Sequence, residues 1–348
     1  MSALAERDDK QGRGEERIAG LPAKIDQRPR RILFVVHRYA PYPGGSENYV
    51  RDMAEETRAR GHYVAVFAGE HKGNLNGVIV SSEPMILKDH WDLIVVHGGD
   101  VGIQNLVLQH ADQLGGPVLY MLIMPSHSKE CVGALHRATY LGCSTLADWR
   151  HVQSYNAQDR AVRVRHGIDH RVCCGKPGFR DKYGITTPYM FLSSGGYWPN
   201  KAFDELVGVF QDTKRTDATL VLTGYDNRFG IMPKESEFVK PFLFTDRQEM
   251  LNALLDADLY ILNSYTEGFG LVLLESMLNM TPWVGREIAG AELMREYGHT
   301  YRTPKELELF LSLYRGTSGT HLLEAQKYVV TTHLIKHTVS DILRILSA

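Results

Sequence analysis

A strand, a glycine-rich loop and a helix follow one another over residues 256–284, and this succession constrains the fold more than any other feature. The apolar run at 259–262 has the length of a buried strand, and it ends in the polar turn 263–266. A helical pattern begins near Gly270. Gly268 and Gly270 let the backbone approach a ligand closely, and amides at a helix N-terminus suit an anion. The stretch therefore predicts a phosphate site between a strand and a helix.

Two carboxylates stand eight positions apart in this stretch, with Glu267 in the loop and Glu275 about two turns into the helix. Glu267 precedes the helix, so the two side chains are not neighbours on one helical face. One carboxylate can therefore address the part of a ligand near the loop while the other reaches a different part. The alternative is a solvated loop Glu and a surface helix Glu.

A second succession of the same kind stands near the beginning of the chain. The apolar run 32–36 suits a buried parallel strand, and Gly44 and Gly45 introduce an amphipathic helix for which Ser46 is a plausible N-cap. Glu47 follows. The backbone amides of this loop are a second place where a phosphate or a sugar can bind.

Strand and helix patterns alternate through most of the chain, which predicts parallel sheets with crossover helices. The domains expected are a disordered polar tail at 1–29, an N-terminal domain at 30–168, a C-terminal domain at 169–325, and a helix at 326–348 that packs back toward the N-terminal domain. Strands are predicted at 32–36, 63–68, 93–96, 118–123, 189–192, 219–223, 238–244 and 259–262, a helix at 102–113, a helix capped by Asp246, and a long helical tail at about 321–346.

Composition narrows the class of protein. The formal net charge of −2 gives no global argument for nucleic-acid binding, and no apolar run reaches the roughly 20 residues that span a bilayer. The first 20 residues contain no hydrophobic signal core, so a cytoplasmic protein is expected. Four cysteines without metal-site spacing are expected to be reduced: Cys131, Cys143, Cys173 and Cys174.

The segment EGFGLVLLESM after an apolar strand, with GGSE after the first strand and GID near 167–169, resembles the retaining glycosyltransferases of the family 4 type. The resemblance covers residues 31 to about 300. It implies an α/β protein of the GT-B fold, with two Rossmann-like doubly wound domains facing a central cleft.

The resemblance also implies roles for individual residues. Glu267 approaches the transferred sugar, Glu275 holds the ribose hydroxyls, and Lys201 binds the donor diphosphate. The expected donor-binding set is Gly44, Gly45, Gly196, Lys201, Gly268, Phe269, Gly270, Leu271 and Glu275. His127 matches the active-site histidine that contacts the reacting sugar, and the acceptor-side candidates are Ser46, Glu47 and His97. The leaving phosphate helps to deprotonate the acceptor, so no residue is assigned as a conventional general base.

One position departs from the family pattern. Gly196 stands where an arginine is usual, five residues before Lys201. Either Arg247 or His166 is a candidate for the missing cation.

The predicted activity is transfer of a sugar from a nucleotide diphosphate sugar, with a UDP-sugar expected, to a hydroxyl acceptor. No cofactor or metal is expected, because no DxD-type motif stands at a strand end. Alternatives are a phosphorylase or epimerase of the same fold and a sugar-nucleotide-binding protein without catalysis. The acceptor stays open: a glycan, a lipid-linked sugar, a small metabolite, or a polyanion such as DNA carrying a modified nucleobase. The basic residues near 28–31 and 160–182 permit the last of these.

Overall fold

A computed structural model of the chain describes residues 28–69, 73–97, 102, 110–123, 129–171, 173–244 and 246–347. The predicted tail at 1–29 lies outside this part of the chain apart from its last two residues. The chain divides into two compact units. Unit 1 consists of residues 1–39, 50–165 and 336–348, and unit 2 consists of residues 40–49 and 166–335.

Unit 1 is built on an eight-stranded sheet in the order β3-β4-β2-β1-β5-β6-β7-β8, in which only the β3–β4 pair is antiparallel. Its central strand β1 (Arg31–Val36) pairs in parallel with β2 on one side and β5 on the other, and residues 32–36 are buried. The other strands are β2 (Tyr63–Ala68), β3 (Gly73–Leu75), β4 (Val78–Ser81), β5 (Leu93–His97), β6 (Val118–Met121), β7 (Tyr140–Cys143) and β8 (Ala161–Arg163). The described helices up to this point include α1 (Gly45–Ala59), α2 (Lys129–Arg137) and α3 (Leu146–Ser154).

Unit 2 is built on a six-stranded, wholly parallel sheet in the order β11-β10-β9-β12-β13-β14. Its strands are β9 (Tyr189–Ser194), β10 (Ala218–Gly224), β11 (Val239–Leu243), β12 (Leu259–Leu262), β13 (Trp283–Arg286) and β14 (His299–Tyr301). Its helices are α4 (Phe179–Lys182), α5 (Phe203–Asp212), α6 (Arg247–Asp256), α7 (Leu271–Leu278), α8 (Ala289–Leu293), α9 (Pro304–Leu313) and α10 (Gly319–Thr332), and α11 (Ile335–Ile345) follows them.

Strand β12 shows why this sheet is covered on both faces. Tyr260 and Leu262 pack in one hydrophobic cluster, and Leu259 and Ile261 pack in another. Because successive side chains of a strand point to opposite faces, the fully apolar run predicted at 259–262 matches a strand buried on both sides. Two Rossmann-like units with parallel sheets confirm the predicted α/β fold class.

Two local predictions were wrong. Helix α1 begins at Gly45, so Ser46 lies in its first turn instead of capping it. The tail predicted as one helix at 321–346 is two helices, α10 and α11, separated at residues 333–334. The predicted helix at 102–113 lies mostly outside the described residues, and its last three residues form a 3-10 turn.

The break between α10 and α11 has a clear cause. Leu334 forms an isolated parallel bridge with Ile168, whose amide donates to His333 O at 2.9 Å and whose carbonyl accepts from Ile335 N at 2.8 Å. These bonds divert the chain from helical geometry for two residues. Gly167 makes the approach possible, because a Cβ on it would lie 2.5 Å from the Leu334 carbonyl carbon.

Across the described ranges, no helix combines the length and the apolar character that a crossing of the bilayer would require.

We expect Gly167→Ala to destabilise the protein by about 1–3 kcal/mol, because the added methyl group must push the 334–335 backbone away. Chemical denaturation of the variant measures the loss. Gly208→Ala is the matched control. Gly208 lies inside α5 with nothing within 4 Å of an added Cβ, so alanine there should be neutral or stabilise by up to about 1 kcal/mol. Equal stability of the two variants would contradict the close-approach argument.

Candidate active site

The site is built on the β12–α7 loop, residues 263–270 of unit 2. Strand β12 is fully buried, and the loop returns to helix α7 through Gly270, whose φ of 84° is in the left-handed region that favours glycine. Loop residues 265–266 are exposed, whereas Glu267 and Gly268 are half-buried. The loop therefore presents its middle residues to a partly enclosed space at the carboxyl end of a parallel strand, where ligands of open α/β sheets bind.

Glu267 is held in place by two contacts. Its Oε1 accepts a hydrogen bond of 2.6 Å from Ser264 Oγ and lies 2.5 Å from Lys201 Nζ. The Glu267 and Lys201 side chains are 15% and 16% exposed. The structure therefore brings the predicted sugar-binding carboxylate and the predicted diphosphate-binding lysine together as a largely buried ion pair.

Lys201 reaches this position because its 3-10 turn (Pro199–Lys201) is tied to the same loop. Tyr265 N donates to Asn200 O at 2.8 Å, and Asn263 Nδ2 donates to Ala202 O at 2.8 Å. The lysine stem then lies against Gly195, where a Cβ would be 2.9 Å from Lys201 Cε. Gly195 has a φ of 147°, so both its conformation and its lack of a side chain serve the lysine.

Glu275, on helix α7, is 6% exposed and carries its own cation. Arg247, the first residue of α6, places Nη2 2.5 Å from Glu275 Oε1 and 3.0 Å from Cys173 Sγ. The sequence suggested Arg247 only as a substitute cation, and Cys173 was not predicted as a site residue. Their sequence separations from Glu275, 28 and 102 residues, explain why no local motif identifies this cluster.

Tyr260 is the second residue of β12 and is fully buried. Its hydroxyl shares a hydrogen bond of 3.1 Å with Ser194 Oγ, at the end of β9. Burial raises the pKa of Tyr260 well above its usual range, and the charges of Glu267 and Glu275 raise it further. Glu267 lies in the loop and Glu275 in the helix that follow β12, so both ion pairs stand after the carboxyl end of the same strand. Sequence patterns did not single out Tyr260 or Ser194.

Gly196, where the family pattern has arginine, is covered by an aromatic ring. A Cβ on Gly196 would lie 2.6 Å from Trp198 Cε2 and 2.8 Å from its Nε1. The indole is held edge-on to Tyr225 at 5.7 Å, and the Arg228 guanidinium lies 5.9 Å from its centroid. The Trp198 ring therefore fills the space that an arginine side chain at position 196 would need.

The Gly44–Gly45 loop belongs to unit 2. The Tyr42 hydroxyl donates to Asp226 Oδ2 at 3.1 Å and accepts from Arg228 Nη2 at 3.0 Å, which anchors this loop beyond the end of β10. The Arg228 guanidinium holds the pKa of the Asp226 carboxyl below its usual range.

The candidates that follow this anchor differ in exposure. Gly45 is exposed, Ser46 is half-buried and Glu47 is buried, with its carboxylate folded back over Gly44 so that a Cβ there would clash. Gly44 and Glu47 therefore shape the loop, and Gly45 presents its backbone.

Phe269 and Leu271 occupy the start of the helix in different ways. Phe269 is 4% exposed, and its ring centroid lies 4.8 Å from that of His166 and 5.9 Å from that of His333. Leu271 is half-buried. Phe269 thus packs the loop against the bridge between residues 168 and 334, while the backbone around it remains available to a ligand.

The two predicted histidines differ in what the structure shows. His127 lies outside the described residues. His97 is the last residue of β5, in unit 1, and is 5% exposed. Burial, with a smaller contribution from His37, lowers the pKa of His97 to about 3, so His97 is neutral at physiological pH.

No disulfide involves Cys143, Cys173 or Cys174 in the part of the chain that the structure describes, and of these three only Cys174 is exposed. The Cys131 side chain lies outside the described residues. Among the side chains that the structure describes, no group of three or more His, Cys, Asp or Glu is arranged to hold a metal ion.

We expect Gly196→Arg to destabilise the protein by about 1–3 kcal/mol, because the new side chain must displace the Trp198 ring. Thermal unfolding measures the effect. Trp198→Ala opens the space. Gly196→Arg should therefore cost less stability when it is added to Trp198→Ala than when it is added to the wild type. A stable Gly196→Arg protein would show that the ring moves freely.

We expect His97 to make the protein less stable at mildly acidic pH. Its folded-state pKa is lowered, so below the ordinary value of about 6.5 the unfolded chain binds a proton that the folded chain does not. Stability is therefore present at neutral pH and is lost as pH falls from about 6.5 toward about 3.

Between pH 7 and pH 5.5 this group should account for about 1 kcal/mol of unfolding free energy, measured as the difference in pH dependence between the wild type and His97→Gln. Parallel pH profiles of the two proteins would refute the assignment.

Residues 176–297 match the family model described as Glycosyl transferases group 1. No curated protein matches the chain. The residues matched contain β9 to α8, and so include Lys201, Arg247, Glu267 and Glu275.

Solved structures resemble the chain over most of its length. HepE from Anabaena, solved with UDP and glucose, has a TM-score of 0.74 and 17% identity, over 91% of this chain and 99% of its own. Sucrose-phosphate synthase from Thermosynechococcus elongatus has a TM-score of 0.72 and 14% identity, over 91% and 98%. The catalytic domain of starch synthase IV from Arabidopsis thaliana, bound to ADP and acarbose, has a TM-score of 0.69 and 12% identity, over 92% and 100%. At identities this low the likeness shows the fold alone, and it follows that the chain has the GT-B fold, with residues 176–297 similar to the glycosyl transferases group 1 family.

Proposed function

We propose that this protein transfers a sugar from a nucleoside diphosphate sugar to a hydroxyl acceptor, with retention of anomeric configuration and without a metal ion, in the cytoplasm. The observation that carries the proposal is the presence of two largely buried ion pairs on the loop and the helix that follow β12. Lys201 with Glu267 and Arg247 with Glu275 place two cations and two carboxylates in one partly buried site. A nucleoside diphosphate sugar carries anions and hydroxyl groups, which are the partners of cations and carboxylates respectively.

Lys201 is proposed to stabilise the leaving diphosphate. Negative charge grows on that group as the glycosidic bond breaks, and a fixed cation in a poorly solvated site stabilises it most. The amides at the start of α7, from Gly268 to Leu271, and those at Gly44 and Gly45 are proposed to assist as dipoles. This role is supported by the hydrogen bonds that tie the turn of Lys201 to the β12–α7 loop, Tyr265 N to Asn200 O and Asn263 Nδ2 to Ala202 O.

Glu267 is proposed to hold hydroxyls of the transferred sugar, and Glu275 the hydroxyls of the ribose. An ionised carboxylate is an acceptor only, so it pairs naturally with hydroxyl donors. Ser264 orients Glu267 by donating to it, which leaves its other oxygen for the ligand. The two carboxylates then bind opposite ends of one donor molecule.

The remaining roles rest on the family resemblance. His127 is proposed to hold a sugar hydroxyl near the reacting carbon, and the leaving phosphate to accept the acceptor's proton. His97 and Glu47, both buried, and Ser46, which is half-buried, remain acceptor-side candidates. Since His97 is neutral at physiological pH, a role for it is limited to a hydrogen bond without charge.

The proposed donor is a UDP-sugar, and the proposed acceptor is a soluble hydroxyl compound, with DNA as the alternative. HepE, which shares the fold, was solved with UDP-glucose. A DNA acceptor is distinguished by salt, because an acceptor held through its phosphates loses affinity steeply as ionic strength rises.

A second candidate is a nucleotide-sugar-binding protein without catalysis. The observation that favours it is the closed position at Gly196, which removes one cation from the diphosphate end of the site. Binding of a nucleotide sugar without hydrolysis or transfer would favour this reading.

The proposal is tested by a thermal-shift screen with UDP, GDP, ADP and their sugars, followed by turnover of the sugar that binds best. A ligand at 100 times its Kd adds about 2.7 kcal/mol of stability, and Glu275→Ala should abolish the shift. Lys201→Met should then lower kcat by about 100- to 1000-fold with the fold intact. Turnover should be unchanged by EDTA, and NMR of the product should show the donor's anomeric configuration.

Lys305→Met is the matched control, since Lys305 is 81% exposed and pairs only within α9, with Glu308. Full turnover by Lys201→Met, or an inverted product, would refute the mechanism. The absence of any nucleotide-dependent shift would refute the donor class.

A further inference from the structure

We propose that Arg247 is a second phosphate-binding residue, which is released from Glu275 when the ribose hydroxyls take that carboxylate. The inference rests on the proposed function and deepens it. In the free protein Arg247 forms an ion pair with Glu275. In the complex each of the two groups binds a different part of the same nucleotide. The site is therefore selective for ligands that carry an anion and a sugar diol together.

The first support is the position of the pair. Arg247 begins α6 and Glu275 lies in α7, so the contact joins separate elements across the site. The side chains are 17% and 8% exposed, and the two atoms in contact are 2.5 Å apart. A carboxylate proposed to hold ribose hydroxyls is thus already occupied by a cation.

The second support is the cost of breaking such a pair on one side only. A nucleoside that drew Glu275 away would leave the guanidinium without its carboxylate in a poorly solvated place, which is strongly unfavourable. Cys173 Sγ, 3.0 Å from Arg247 Nη2, is a much weaker acceptor than a carboxylate oxygen. A phosphate attached to the same ribose restores a charged partner within one sugar's length of the carboxylate.

The third support is the closed position at Gly196. Trp198 fills the space where a cation from the β9–α5 loop would stand, so that loop brings Lys201 alone into contact with Glu267. The donor presents ribose hydroxyls, a diphosphate and sugar hydroxyls in that order. The protein matches this order if Glu275 and Glu267 take the two ends and Arg247 and Lys201 both turn to the diphosphate.

The experiment is calorimetric binding of UDP, uridine and pyrophosphate to the full chain and to three variants: Arg247→Gln, Arg247→Lys and Arg180→Gln. GDP with guanosine or ADP with adenosine replaces the uridine pair if that diphosphate binds better. We expect Arg247→Gln to weaken UDP binding by about 10- to 100-fold, the value of a charged hydrogen bond. The Arg247→Gln variant should bind uridine as tightly as the wild type or more tightly, because the arginine no longer competes with the ribose hydroxyls for Glu275.

Arg247→Lys keeps the positive charge and should recover part of the UDP affinity, and it serves as the readout if Arg247→Gln does not fold. Arg180→Gln is the matched control. Arg180 pairs with Asp258 in unit 2, with a side chain that is 24% exposed, but it lies at the opposite end of β12. This variant should bind UDP and uridine as the wild type does.

Two outcomes overturn the inference alone. Unchanged UDP affinity in Arg247→Gln would show that the arginine does not bind phosphate. Equal weakening of UDP and uridine would show that it only orients Glu275. A wild-type chain that binds none of UDP, GDP and ADP overturns the proposed function, and the inference with it.

Discussion

The site depends on one electrostatic constraint, which is that a carboxylate taken out of water requires a partner. Glu267 and Glu275 are both largely buried, and each is paired with a basic side chain from another element. The pairs keep the empty site stable, yet they use the same groups that a ligand needs. The proposed donor, a nucleoside diphosphate sugar, would offer replacements for every bond that it breaks, whereas a fragment of it would not. Selectivity then follows from the cost of incomplete replacement rather than from shape.

Close backbone packing is the second theme. The aliphatic part of the Lys201 side chain packs on Gly195, and the Trp198 ring packs on Gly196. Each of these two adjacent glycines therefore contacts a different side chain. An added side chain at either would move a residue of the site. The indole of Trp198, supported by Tyr225 and Arg228, therefore fills the space beside Gly196 where the family resemblance puts an arginine.

The sequence predicted what local pattern determines. The apolar run at 259–262 coincides with β12, and Asp246 caps α6 by accepting from Gln248 N, as expected. The fold class follows from such runs because alternation of buried strands and helices admits few architectures. The bridge between Ile168 and Leu334 was not predictable, since the helical pattern of the tail continues through residues 333–334 and only a distant partner interrupts it. Arg247 and Cys173 join Glu275 for the same reason, through contacts that no spacing rule encodes.

Unit 1 is assembled from segments that lie far apart in the chain, and this has a consequence for biosynthesis. Arg165, two residues after β8, makes a bidentate contact with Asp341 of α11. Its Nη2 donates to Oδ1 at 2.7 Å and its Nε donates to Oδ2 at 2.8 Å. Asp341 leaves the ribosome only after all of unit 2 has been made. The bond that closes unit 1 therefore forms only after the residues of unit 2 have been synthesised, so unit 1 cannot be completed while it is the only unit outside the ribosome.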